Sequence, residues 1–248
     1  MAPDALVDVD GLHKSFDAKE VLKGISFQLF KGETLVVMGG SGSGKTVLLR
    51  HVAGLVRPDR GRVMVFGKRI DNLSEEHLLP IRRHMGYVFQ GAALFDSLSV
   101  YENVAYPLRE HTSLRERAIR ERVVHFLSLV GLGEEVLPLL PSELSGGMRK
   151  RVGIARSLVI EPQMLLFDEP TAGLDPTNSK MVAELIVELR SGVCDTSIVV
   201  THDLELVKTV ADRLAVLIGG RFAALGPREQ VLGTSDPAVQ AFLAGEAR

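Results

Sequence analysis

Eight consecutive residues, Gly39-Gly40-Ser41-Gly42-Ser43-Gly44-Lys45-Thr46, constrain this chain more than any other stretch. They fit G-x-x-x-x-G-K-[ST] and stand between a short apolar run over 35–38 and a helically spaced apolar pattern over 47–55. In a strand–loop–helix of this kind the glycines let the backbone fold tightly. Successive N–H groups then point inward at phosphate oxygens, with the positive dipole end of the helix behind them. Lys45 would reach the β- and γ-phosphates, and the Thr46 hydroxyl would ligate Mg²⁺. The pattern implies a bound nucleotide and is silent about what the nucleotide is for.

Further apolar runs recur at 85–89, 164–167, 198–200 and 214–218. Between the last three lie amphipathic stretches. Met181, Val182, Leu185, Ile186 and Leu189 fall on one helical face, as do Leu204, Val207 and Val210. Strands alternating with helices predict an α/β fold with a mostly parallel sheet covered on both sides. Two regions read differently. Near the N-terminus, 6–9, 21–29 and 62–66 read as short strands of an antiparallel sheet. From 92 to 159 no strand is expected; 100–108, 115–130 and 146–159 read as helices, with Ile119, Val123, Phe126 and Val130 on one face. A helical insert therefore interrupts the α/β core.

Composition narrows the function. The 248 residues suffice for one α/β domain or a core with an inserted subdomain, and 46 % hydrophobic residues supply its interior. A net charge of −2 without a long basic run gives no support to nucleic-acid binding. The only cysteine, Cys194, excludes an internal disulfide and a cysteine-cluster zinc site, and reads as an ordinary thiol near a strand. No stretch approaches the roughly 20 apolar residues that span a bilayer. Residues 1–10 carry three aspartates and no basic segment, unlike a secretory signal. The expectation is a soluble, cytoplasmic protein whose membrane role comes through a partner.

The run 164–167 ends in Asp168-Glu169, at the strand end where ligands of a parallel sheet collect. Asp168 suits Mg²⁺, and Glu169, turned to the other side, can take a proton from an attacking water; the pair could also merely cap the next helix. Ser145-Gly146-Gly147 precedes another helix and, alone, is only a good helix N-terminus. Gln90 after a strand could be plain surface, His202 before Asp203 part of a helix start, Phe16 a core residue, and Asp175-Pro176 a turn. His13, His51, His77, His84, His111 and His125 show no metal-ligand spacing.

The order and spacing of these segments resemble the ABC-type ATPases over nearly the whole chain. The resemblance implies the ABC ATPase fold: a P-loop NTPase, RecA-like core with an N-terminal antiparallel β subdomain and an inserted α-helical subdomain. The core and β subdomain would take 1–91 and 160–248, and the helical signature subdomain 92–159. The family's phosphate loop corresponds to 39–46, its signature to 144–148 and its adenine-stacking aromatic to Phe16. Its catalytic glutamate corresponds to Glu169, its Q-loop glutamine to Gln90, its D-loop aspartate to Asp175 and its switch histidine to His202. Gln90 would touch Mg²⁺ or the water, and His202 the γ-phosphate. The resemblance also implies ATP and Mg²⁺, and a homodimer in which Ser145, Gly146 and Gly147 close over the other chain's nucleotide.

Residues 89–95, 101–112, 141–148 and 236–243 resemble one branch of that family, the ATPases of Mla and Mce-type lipid transporters. That implies a peripheral subunit on the cytoplasmic face of a bacterial inner membrane. There it would power phospholipid transport between inner and outer membranes, alongside permease subunits, a Mce-domain lipid-binding protein and, in some members, a STAS-domain protein. Another importer, a lipoprotein-release system or a non-transport ABC protein is the alternative. Two departures stand out: Met148 replaces the usual glutamine and lacks its hydrogen bonds, and Phe16 replaces the commoner tyrosine but keeps a stacking face. The chain ends soon after Phe242, so little room is expected for a C-terminal regulatory domain.

Overall fold

The computed structural model describes residues 5–245. Met1 to Asp4, the start of the acidic stretch read above as not a secretory signal, lie outside them. Two compact units divide the chain, Met1–Arg82 with Asp195–Arg248, and Arg83–Cys194.

The first unit opens with β1 (Ala5–Phe16), β2 (Lys19–Phe30), β3 (Thr34–Gly39), α1 (Lys45–Val52), β4 (Arg60–Val65), β5 (Lys68–Arg69) and α2 (Glu75–Arg82). One antiparallel sheet, ordered β2-β1-β4-β5, is the expected N-terminal β element. Its inward side chains, Val7, Val9, Leu12, Ile25, Phe27 and Leu29, alternate along the strands, and a register shift between Val9 and Leu12 moves the inward positions of β1 from odd to even. The strand expected at 62–66 stops at Val65, because Phe66 takes a left-handed φ of 49°.

The second unit contains β6 (Met85–Val88), α3 (Val100–His111), α4 (Glu116–Leu129), α5 (Gly146–Leu158), β7 (Met164–Asp168) and α6 (Pro176–Gly192). Between β6 and β7 the described residues form only helices, two of them short 3₁₀ turns, as the sequence predicts. A capping box starts α3: the Ser99 hydroxyl accepts from the Glu102 N–H at 3.2 Å and Glu102 accepts from the Ser99 N–H at 2.8 Å. Ile119, Val123, Phe126 and Val130 are buried together where α3, α4 and α5 pack. Fully buried Asn103 donates to the carbonyls of Phe95, Leu98 and Ser99 and accepts from the Phe95 N–H, pinning the turn before α3. Within α6 one expectation fails. Met181 is 44 % exposed while Val182, Ala183, Leu185, Ile186 and Leu189 are buried, so the buried stripe starts one residue later than expected.

The chain returns to the first unit with β8 (Ser197–Thr201), α7 (Leu204–Val210), β9 (Arg213–Ile218), β10 (Arg221–Pro227), α8 (Arg228–Leu232) and α9 (Pro237–Leu243). Here the strands run β10-β9-β3-β8, with β3 parallel to both neighbours and β10 antiparallel at the edge. All of β3 is buried, which is why 35–38 reads as a continuous apolar run rather than an alternation. On α7 the buried residues are Leu206, Val207 and Val210, and Leu204 is only half-buried. Among the described residues no helix is long and apolar enough to cross a membrane.

Candidate functional site

In the first unit the phosphate loop leaves the buried end of β3 and enters α1. Gly44 caps the helix with φ of 105° and no side-chain cap, a conformation open to glycine and strained for any other residue. A Cβ there would also lie 2.9 Å from a Leu22 methyl and 3.0 Å from one of Val21. Lys45 is buried, and its ammonium donates to the carbonyls of Gly39 (2.8 Å) and Gly40 (3.0 Å), so its charge stays inside the loop. The Ser43 hydroxyl is buried with no hydrogen-bond partner among the described residues. Ser41 and Gly42 are exposed, and Thr46 is half-buried. A buried hydroxyl without a partner beside a held ammonium fits an oxyanion ligand. That is the structural test a triphosphate must pass, and the loop passes it.

The same unit places two more of the expected residues. Thr201 of β8 pairs with Met38 of β3, so His202, the next residue, stands at the strand end from which the phosphate loop departs. Its side chain is exposed, and the helix cap there is Asp203, which accepts from the Glu205 and Leu206 N–H groups; His202 does not cap α7. Phe16, at the tip of β1, is 45 % exposed, with the Lys14 ammonium 5.4 Å from its ring centroid, so it is not a core residue.

In the second unit β6 and β7 are parallel, with Val88 opposite Phe167, so Gln90 and Glu169 follow at matching strand ends. Asp168 is buried and accepts from the Tyr87 hydroxyl at 3.1 Å. Glu169 is 7 % exposed with a left-handed φ of 49°. Residues in such conformations cluster at functional sites, where the surrounding structure holds the strain. Gln90 is exposed. Ser145 caps α5, its hydroxyl accepting from the Met148 N–H at 3.2 Å. Gly147 packs closely: a Cβ would meet Asn178 Oδ1 at 2.4 Å, so the Asn178 side chain would have to move. Asp175 caps α6 through the Asn178 N–H at 3.0 Å and its side-chain amide. That amide, together with neighbouring backbone N–H groups, holds the Asp175 carboxyl below the usual range. The signature glycine and the expected D-loop aspartate thus share one neighbour, Asn178.

Two residues that sequence reasoning passed over belong here. Lys150 is 6 % exposed, and its ammonium donates to the backbone carbonyls of Gln90 and Glu169. Burial lowers its pKa, with the Glu169 and Asp168 carboxylates pulling the other way. Arg156 donates to the carbonyls of Ala92 and Ala93 at 2.8 Å each. A signal was available for Lys150. It lies three residues after Gly147 and four before Ile154, on the buried face of α5.

A phosphate cradle between strand and helix, followed by a helical insert that begins its last helix on Ser-Gly-Gly, defines the ATP-binding cassettes, and this chain belongs to the ABC transporter family, which residues 22–172 match. Among relatives, it is 41 % identical over 239 residues to the probable ribonucleotide transport ATP-binding protein mkl of Mycobacterium tuberculosis (strain ATCC 25618 / H37Rv), covering 96 % of this chain but 66 % of that protein. This chain thus spans a little under two thirds of the mycobacterial protein's length. It is 39 % identical over 242 residues to the intermembrane phospholipid transport system ATP-binding protein MlaF of Haemophilus influenzae (strain ATCC 51907 / DSM 11121 / KW20 / Rd), covering 98 % of this chain and 91 % of that one. A solved dimeric, post-hydrolysis state of the ATP-binding cassette MJ0796 bound to ADP and Pi superposes with a TM-score of 0.82 at 29 % identity, over 90 % of this chain and 98 % of that chain. The fold is the P-loop ABC ATPase fold, α/β with an inserted helical region.

Proposed function

We propose that the chain binds ATP with Mg²⁺ and hydrolyses it, as one of two identical cassettes that power a membrane transporter for phospholipid. The observation that carries the nucleotide half is the loop of 39–46. Its buried Ser43 hydroxyl and carbonyl-held Lys45 ammonium surround a space suited to phosphate oxygens. Backbone N–H groups of Gly40 to Thr46 bind the phosphates, and Phe16 stacks on the base. Thr46, Asp168 and Gln90 supply oxygen donors for Mg²⁺, which neutralises charge on the phosphates when bound.

Glu169 takes a proton from the attacking water as the water oxygen adds to the γ-phosphorus and the bond to the ADP oxygen breaks. His202 donates to the γ-phosphate and orients the water. Ser145, Gly146 and Gly147 of one chain close over the nucleotide of the other, with Asp175 at that junction; the dimeric, ADP- and Pi-bound form of MJ0796 supports this pairing. Residues 92–159 act as the helical signature subdomain and the remainder as the nucleotide-binding core. ATP draws the chains together and moves the permease, and loss of the γ-phosphate releases them. Replacing Glu169 by Gln should slow hydrolysis about 10²- to 10⁴-fold while ATP still binds and the dimer still closes. Wild-type turnover in E169Q would remove Glu169 from the base role.

The lipid half rests on the relative named MlaF, matched across 98 % of this chain. On that reading the protein works on the cytoplasmic face of an inner membrane, with permease subunits, a Mce-domain protein and, as a further partner, a STAS-domain protein. The relative named for ribonucleotide transport supports a second cargo. Purification of the native complex decides between them. Phospholipid and a Mce-domain protein should co-purify, whereas a lipid-free complex carrying ribonucleotide beyond its ATP sites would sink the lipid reading.

A further inference from the structure

The strand ends that carry Gln90 and Glu169 share one side chain. Helix α5 runs along β6 and the segment after it and grips their carbonyls in turn. Ser157 Oγ donates to Tyr87 at 2.9 Å, the Arg156 guanidinium to Ala92 and Ala93 at 2.8 Å, and Lys150 to Gln90. Lys150 alone in this row also reaches the other strand, donating to the Glu169 carbonyl at 3.2 Å. The carbonyls held belong largely to strained backbone: Ala92, Ala93 and Glu169 have φ of 62°, 50° and 49°. For non-glycine residues this conformation is strained.

We propose that Lys150 is a positioning residue for ATP hydrolysis, its ammonium tying the helix behind Ser145 to the backbone of Gln90 and Glu169 and so setting where those two side chains point. The proposal rests on Glu169 being the proton acceptor argued above. A methionine would fill the same space without burying a charge, and burying an ammonium is costly. What the ammonium adds is the pair of hydrogen bonds that joins three segments. Because Lys150 sits five residues beyond Ser145 on one helix, any displacement of the signature end reaches Glu169 through it.

Lys150→Met removes the donors and keeps the stem. The expected result is a kcat lowered about tenfold to a hundredfold, as for a misplaced reacting group, with KM for ATP and Tm near wild type. Lys150→Arg, which keeps charge and donors, should recover most of that loss. Without nucleotide, hydrogen exchange should quicken about fivefold in K150M at the amides of Ala92 and Ala172, which bond to the carbonyls of Phe89 (2.9 Å) and Glu169 (3.2 Å). Should K150M not fold, Lys150→Gln carries the same measurements. A K150M kcat within about twofold of wild type, a KM that rises as kcat falls, or unchanged exchange at those amides overturns the proposal. A wild-type chain without ATPase activity sinks the functional reading instead, and the exchange measurement still decides whether Lys150 holds these strand ends.

Discussion

Two helices of this chain begin on glycine-rich segments, and they begin differently. Helix α1 starts after Gly44, left-handed and without a side-chain cap, with a buried ammonium and a buried hydroxyl turned into its loop. Helix α5 starts after Ser145, whose hydroxyl already accepts from the Met148 N–H. The first start leaves its capping to whatever the loop holds, so a tightly bound anion belongs there. The second start supplies one cap of its own, from an exposed serine, which suits a surface that engages a ligand already seated elsewhere. A helix end that binds firmly and one that binds in passing are thus told apart by whether the chain supplies the cap.

The strongest test of that difference is Lys45→Ala. In dilute single chains it should weaken ATP binding at least about a hundredfold, near 3 kcal/mol, the scale for truncating one side of a buried charge contact. Unchanged affinity by calorimetry would break the comparison at its first limb. Next comes Gly147→Ala, whose methyl must displace Asn178 and disturb the Asp175 cap. It should cost about 1–3 kcal/mol in denaturant melts, as overpacking does, yet leave single-chain ATP affinity alone. If affinity falls with stability, the two helix ends are not separate devices.

A smaller effect is expected of Ser145→Ala: about 1 kcal/mol of stability for the lost cap, and weaker ATP-driven pairing in the Glu169→Gln background by sedimentation. Pairing of undiminished strength would remove Ser145 from the interface. The smallest effect concerns acid. His51 of α1 is buried, donates through Nδ1 to the Val47 carbonyl at 2.7 Å, and has no partner for Nε2 among the described residues. Burial lowers its pKa against the pull of Val47, and nearby Lys14 lowers it further. The unfolded chain then takes up a proton that the folded chain refuses, so stability is full above the ordinary imidazole value of about 6.5 and is lost as pH falls below it. Helix α5 has no histidine, so His51→Phe should flatten the acid slope of Tm, and an unchanged slope would place the sensitivity elsewhere.

Much of this was legible because its causes are local. Residues 39–46 carry their own loop geometry, and the apolar run 164–167 marks a buried strand ending on acids. Edge strand β10 escaped notice. None of its residues is fully buried, and the apolar run Phe222-Ala223-Ala224-Leu225 is short and half alanine, a residue with little preference for strands. Helix α2 was missed as well, since Pro80 within it reads as a breaker.

By itself, then, the amino-acid order determined the phosphate loop, the strand-end acids and the helical insert, since short-range chemistry and spacing suffice for each. Only the tertiary structure decided what the Lys150 ammonium, spaced for the buried face of α5, meets there. A cation is buried where distant carbonyls converge on it, and those of Gln90 and Glu169 lie 60 and 19 residues from Lys150 along the chain.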